Sequence, residues 1–144
     1  MTTKDGPDVI LVGIDGSPTS LRAGAYAAGL ARRQQARLAV VYVVPAHPVV
    51  AGLAPGSLAA LEGSEEEAVA EVRAMVDAGV RYHGMEVDFR VGHGDPYTKI
   101  CRIADEIQAD AVVVGSSTQL GHRFVGSLAL KLVRAGRWPV TVVP

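Results

Sequence analysis

The residues best equipped for chemistry fall in two glycine- and hydroxyl-rich stretches: Asp15-Gly16-Ser17-Pro18, and the longer run from Gly115 through Ser116, Ser117 and Thr118 to Gly126-Ser127. Gly126-Ser127 precedes apolar positions at Leu128, Leu132 and Val133, so it opens a helix, and the free amides and positive dipole end of a helix attract an anion. Glycine at 115 and 126 permits close approach to the backbone. Hydrolytic triad chemistry is a poor fit, because Ser17, Ser116, Ser117 and Ser127 lack a G-x-S-x-G context and have no acid and histidine readable beside them. His47, His83, His93 and His122 share neither spacing nor a common element, so they define no metal site. His93, between two glycines, reads as a solvated turn residue. Cys101 is the single cysteine and sits in an apolar helical pattern, which leaves no disulfide framework and no cysteine-based metal site, and suits a reducing cytoplasm.

The elements that must position these residues follow from hydrophobic periodicity. Residues 9–14 are a continuous apolar run, as in a strand buried on both faces. Ser17 is a candidate N-cap with Pro18 at the first helical position, and Ala23, Ala27, Leu30 and Ala31 continue a helix to Arg33. Residues 37–44 form a second buried strand, and 46–63 are rich in Pro, Gly and Ala and read as one irregular segment. Ser64 with Glu67 fits a capping box for a second helix to about Arg81, which makes Glu65-Glu66-Glu67 a solvated acidic run at a helix start. A strand over 86–91, a helix carrying Ile100, Ile103, Ala104 and Ile107, a strand over 111–114, a helix opened at Gly126-Ser127 and closed by Gly136, and a strand over 139–143 complete the pattern.

Five strands alternating with four helices predict a single-domain α/β fold over residues 1–144, an open parallel sheet with helices on both faces. Ligands in such sheets bind beyond the carboxyl ends of the strands, where Asp15–Pro18, Val43–Pro45, Gly92–Pro96 and Gly115–Ser127 converge. Composition agrees: 49% of the residues are hydrophobic and only 5% aromatic, which suits an aliphatic core of close-packed helices on a Val-rich sheet. Fourteen basic against fifteen acidic residues give a net charge of −1, with no surplus to hold a nucleic-acid backbone. No window approaches about 18 uninterrupted apolar residues, and the charged first eight residues lead into no long apolar stretch, so the expectation is a chain neither exported nor spanning a membrane.

Three common tenants of this architecture lack their residues here. A response-regulator receiver needs a phosphoacceptor Asp after its third strand and a Lys after its fifth, but the third strand ends at Gly92-His93-Gly94 and the sequence stops at Pro144. A flavodoxin needs a longer hydroxyl loop after the first strand and aromatics for the flavin. A dinucleotide-binding domain needs G-x-G-x-x-G, and Gly13 and Gly16 do not give that spacing.

Gly13-Ile14-Asp15-Gly16-Ser17, Gly94-Asp95-Pro96, the loop from Gly115 to Ser127 and the closing Pro139-Val-Thr-Val-Val143 together resemble the universal stress proteins over nearly the whole sequence. The resemblance implies a Rossmann-like adenine-nucleotide fold with strand order 3-2-1-4-5. In ATP-binding members the fourth-strand loop reads G-x2-G-x9-G-[S/T] and its amides surround the phosphates. Gly115 matches the first glycine and Gly126-Ser127 the closing pair, with Ser116 and Leu128 beside them; Thr118 stands at the second glycine, and the loop is two residues shorter than the pattern. Gly121 would supply backbone freedom, and His122 with Arg123 would add charge toward phosphate.

By the same resemblance Ile14 and Asp15 lie near the ribose, Asp15 as a hydroxyl acceptor or as a turn acceptor for nearby amides, and the Val43 backbone faces adenine or is simply a core strand. The expected ligand is ATP, with Mg²⁺ held through the phosphates, bound as a sensor ligand in a cytoplasmic protein. A nucleotide-free interaction protein and a slow ATPase are the alternatives. Pro139 to Val143 reads as an exposed, Val-rich edge strand, and in the family that strand mediates dimerisation, so a homodimer with Trp138 beside the contact is expected.

Overall fold

The computed structural model describes residues 5–45, 55–119 and 122–144. In chain order they form β1 (Val9–Gly13), α1 (Pro18–Gln34), β2 (Arg37–Val44), α2 (Pro55–His83), β3 (Val87–His93), α3 (Pro96–Glu106), β4 (Ala111–Gly115), β5 (Ser117–Gln119), β6 (His122–Phe124), α4 (Ser127–Ala135) and β7 (Val140–Val143). Five strands make a parallel sheet ordered β3-β2-β1-β4-β7, the expected 3-2-1-4-5 among the sheet's own strands.

The sheet forms because its central strands are apolar on both faces. On β1, Ile10, Leu11 and Val12 are fully buried, and alternation sends Ile10 and Val12 into a core beneath α1 and α2 while Leu11 joins a second core beneath α3 and α4. Burying each such side chain contributes about 1.5–3 kcal/mol. Register is pinned at the strand starts by the Asp110 carboxylate, whose Oδ2 accepts from the amides of Asp8 (2.8 Å) and Val9 (2.9 Å). Cys101 and Leu132 are buried in the second core, and Trp138 packs against it with the Arg137 guanidinium 4.4 Å from its ring centre. Trp138 is thus tied to the inside of its own chain.

Three expectations are corrected. Of the segment 46–63 read as irregular, 46–54, which includes His47, lies outside the described residues, and 55–63 is helical as the first two turns of α2. Pro55 occupies the first helical position, and Leu58, Ala59, Ala60 and Leu61 outweigh the cost of about 1 kcal/mol that each of Gly56 and Gly63 imposes. Ser64 is therefore no cap, and Glu65-Glu66-Glu67 lie well inside the helix rather than at its dipole end. The loop after β4 is not wholly irregular, since β5 and β6 pair antiparallel within it, Ser117 opposite Phe124 and Thr118 opposite Arg123. Finally, Gly92 and His93 belong to β3, paired with Val43 and Val44, so the turn begins at Gly94, whose φ of +112° is a conformation glycine adopts freely.

Candidate functional site

At the carboxyl ends of β1, β2 and β4 a cavity of about 220 Å³ opens to solvent. Ile14, Asp15, Val43, Gly115, Ser116, Gly126, Ser127 and Leu128, all eight candidate positions, line it. The volume is below the roughly 300–1,000 Å³ of most small-molecule clefts, so it accepts a compact ligand or the inner part of a longer one. A larger cleft of about 670 Å³ lies at the other end of the sheet, but its Arg90 is already committed to Asp88 (3.0 Å) and Glu106 (3.7 Å).

The first turn is built by its own hydrogen bonds. Gly16 has φ +87°, which lets the chain reverse between β1 and α1. The Asp15 carboxylate accepts from the Ser17 amide at 2.8 Å; Ser17 Oγ caps α1 by accepting from the Ser20 amide, and Ser20 Oγ donates to the Ser17 carbonyl at 2.9 Å. Partial burial alone would raise the Asp15 pKa, but hydrogen bonds from the Ser17 hydroxyl and amide and from Ser20 outweigh it and hold the carboxyl below its ordinary value. Asp15 therefore performs the turn-acceptor role, while its residue remains exposed at the cavity.

On β2, the Val41 carbonyl accepts from the Ile14 amide and the Val44 carbonyl from the Gly94 amide, both at 2.9 Å. Alternation along the strand then turns the amide and carbonyl of Val43 toward the β1 side, beyond the point where β1 has ended. That leaves a backbone donor and acceptor on the cavity wall.

Gly115 has a packing reason to be glycine. A Cβ there would lie 2.6 Å from the Thr19 carbonyl carbon and 2.7 Å from the Ser20 nitrogen, backbone atoms that cannot yield cheaply. Its bare α-carbon seats the start of α1 against the end of β4. Thr19 Oγ1 completes the joint by donating to the Ser116 carbonyl at 2.7 Å, and the Ser116 amide donates to Val143 at 2.7 Å. Both main-chain groups of Ser116 are thus occupied. Its hydroxyl is not: Ser116 is 9% exposed, and Oγ has no partner among the described residues.

The helix starts differ in a way that bears on anions. Ser17 caps α1, and Asp95 caps α3 by accepting from the Thr98 amide at 2.9 Å. Gly126 gives α4 no side-chain cap, and the first main-chain bond of that helix runs from Leu130 to the Gly126 carbonyl at 3.1 Å. The amides of Ser127, Leu128 and Ala129 precede any intrahelical partner and border the cavity that holds the orphaned Ser116 hydroxyl. Ser116 lines this cavity with its Oγ folded almost wholly out of contact with solvent, close to the positive end of α4.

His93 is on exposed strand and does not line the cavity. Gly121 and the side chains of Thr118, His122 and Arg123 lie outside the described residues. Sequence reasoning passed over two buried hydroxyls, Thr19, which joins the two glycine-rich stretches, and Ser20, which braces the first turn; the cluster Ser17-Pro18-Thr19-Ser20 was the available signal. Among the described residues no group of three His, Cys, Asp or Glu could hold a metal ion, and no helix is long and apolar enough to cross a membrane.

A parallel sheet wound on both faces, with a cavity at the carboxyl ends of its strands, defines the doubly wound, Rossmann-like α/β class. The family model for universal stress proteins matches residues 7–144, and the chain belongs to that family. It is 30% identical over 141 residues to a universal stress protein of Methanocaldococcus jannaschii, covering 93% of this chain and 80% of that one. A crystal structure of a universal stress protein family member from Burkholderia pseudomallei superposes with a TM-score of 0.75 at 30% identity, covering 95% of this chain and 96% of the other. The fold is shared, at lower identity, with a universal stress protein in complex with cAMP (TM-score 0.72, 23% identity, 96% and 97% covered) and one from Archaeoglobus fulgidus in complex with dAMP (TM-score 0.69, 22% identity, 94% and 96% covered).

Proposed function

We propose that this chain binds an adenine nucleotide as a regulatory ligand, ATP with Mg²⁺ carried on its phosphates, in the cavity at the carboxyl ends of β1, β2 and β4. The observation that carries this reading is the unpartnered, buried Ser116 hydroxyl beside the uncapped start of α4. A phosphate satisfies both at once, accepting hydrogen bonds from the amides of Ser127 and Leu128 and from the Ser116 hydroxyl as its rotamer turns toward the cavity. The main-chain groups of Val43 suit the edge of a purine, and Asp15 suits ribose hydroxyls with the oxygen capacity its turn leaves over. That two proteins of the same fold were solved with cAMP and dAMP supports an adenine ligand.

In this reading the protein works in the cytoplasm as a homodimer joined through β7. The support is the edge itself. Val112 donates to the Pro139 carbonyl and Ser116 to the Val143 carbonyl, so alternation turns the amides and carbonyls of Val140 and Val142 outward along an unpaired edge. Leu130 and Val133 add exposed apolar surface on α4, the helix packed on that strand.

Calorimetric titration with ATP and Mg²⁺ tests the ligand. Saturable binding that weakens in Gly126→Ala, where a Cβ would crowd Ser117 at 3.0 Å, is the expected outcome. No heat up to millimolar ATP would remove the proposal and leave the nucleotide-free interaction protein.

A further inference from the structure

A third cavity, of about 360 Å³, runs between α1 and α2 on the face away from α3 and α4. Its floor is Leu38 and Val40, its walls are almost wholly apolar, and no acidic side chain is among the described residues that line it. The groove is open because the facing positions are small. A Cβ on Gly79 would meet nothing within 4 Å, and Gly24 leaves room for Ile14, whose Cδ1 would stand only 2.9 Å from a Cβ there. Leu21 and Met75 flank it 37% and 42% exposed, which leaves apolar surface in water that a ligand would cover.

Size and charge choose the occupant. From Met75 to His83 the wall runs about 12 Å, and an α-helix of that length and about 10–12 Å diameter occupies roughly 1,000 Å³, well beyond 360 Å³, whereas one extended hydrocarbon chain fits. His83 lines one end, and Arg32, four residues beyond Ala28 on α1, carries the same face into solvent there. Arg33 and Arg81 add charge to the same helix ends. The charges of Arg32, Arg33 and Arg81 outweigh the half-charges of the two helix C-termini, so that end favours an anion.

We propose that the groove between α1 and α2 binds a single-chain amphiphile, a fatty-acid anion, with its hydrocarbon along Leu38 and Val40 and its carboxylate toward Arg32 and His83. Among the described residues the groove shares only Ile14 with the lining of the nucleotide cavity, and neither reading depends on the other.

The test is calorimetry and amide-resolved NMR on the full chain with dodecanoate below its micelle concentration, and with dodecanol as the uncharged counterpart. Saturable binding of one dodecanoate per chain is expected, with the largest shifts at Ala25, Ala28, Val76 and Gly79. Gly79→Leu puts bulk into the free space and weakens binding about tenfold or more; Ala25→Met at the exposed mouth gives the same direction with little demand on the fold. Arg32→Glu weakens dodecanoate binding several-fold and leaves dodecanol binding unchanged. The proposal is overturned by an absence of saturable binding up to the solubility limit, by shifts centred on Gly115 to Leu128, by filled-groove variants that bind like the unmutated chain, or by Arg32→Glu leaving dodecanoate affinity intact.

Discussion

Ser116 combines two effects that one substitution separates. A buried, unpartnered hydroxyl costs stability, whereas a hydrogen bond to a charged phosphate contributes about 1.5–3 kcal/mol. Ser116→Ala therefore raises the melting temperature of the free protein and weakens ATP by about 10- to 100-fold, opposite movements that thermal melts and calorimetry read independently. A merely structural serine would not weaken the ligand. Asp15 gives a pH prediction. Because its folded pKa is depressed below the ordinary 3.8, its contribution is complete above that value and is lost as pH falls through the folded one. Asp15→Asn should flatten the loss of stability measured by denaturant unfolding below about pH 4 and leave the slope above pH 5 unchanged. At this scale the location came from the family resemblance: the eight positions it implies all line one cavity. The sequence did not reveal why each is there, since the clash that makes residue 115 glycine comes from α1, nearly a hundred residues away.

Elements carry the next set of consequences. The joint between the end of β4 and the start of α1 tolerates no side chain at 115, so Gly115→Ala should cost about 3 kcal/mol or more by chemical denaturation, with ATP affinity falling as the joint shifts. Gly13→Ala is the contrast: a Cβ there would stand 3.4 Å from Ile100 Cδ1, a much gentler approach, and the cost should be well below that of Gly115→Ala. Strand and helix types were legible because β1 and β4 are unbroken apolar runs and α3 and α4 present clear stripes. The start of α2 was hidden by Gly56 and Gly63, which punctuate in sequence but are tolerated in a helix rich in Ala and Leu. The β5–β6 pair was hidden because three-residue strands carry too few positions to show alternation.

For the molecule as a whole, two properties rest on its ends and edges. The outward amides of Val140 and Val142 should hold a second copy, so the 15.0 kDa chain is expected to sediment at twice that mass at micromolar concentration. Val140→Pro, which removes an edge amide but no bond to β4, should return it to a monomer. A parallel sheet with helices on both faces was readable in advance from the repeated strand–helix–strand units, whereas its strand order came from the family resemblance, and the fold in turn places the four loops at one end. The central claim is that an adenine nucleotide sits with its phosphates on the start of α4. Amide-resolved NMR during ATP titration tests it most directly. The largest saturable shifts are expected at Ser127, Leu128 and Ala129, with Ser116 and Val43 following the same curve. ATP that binds without moving those amides, or that moves instead those around Arg90 at the opposite end of the sheet, would contradict the account.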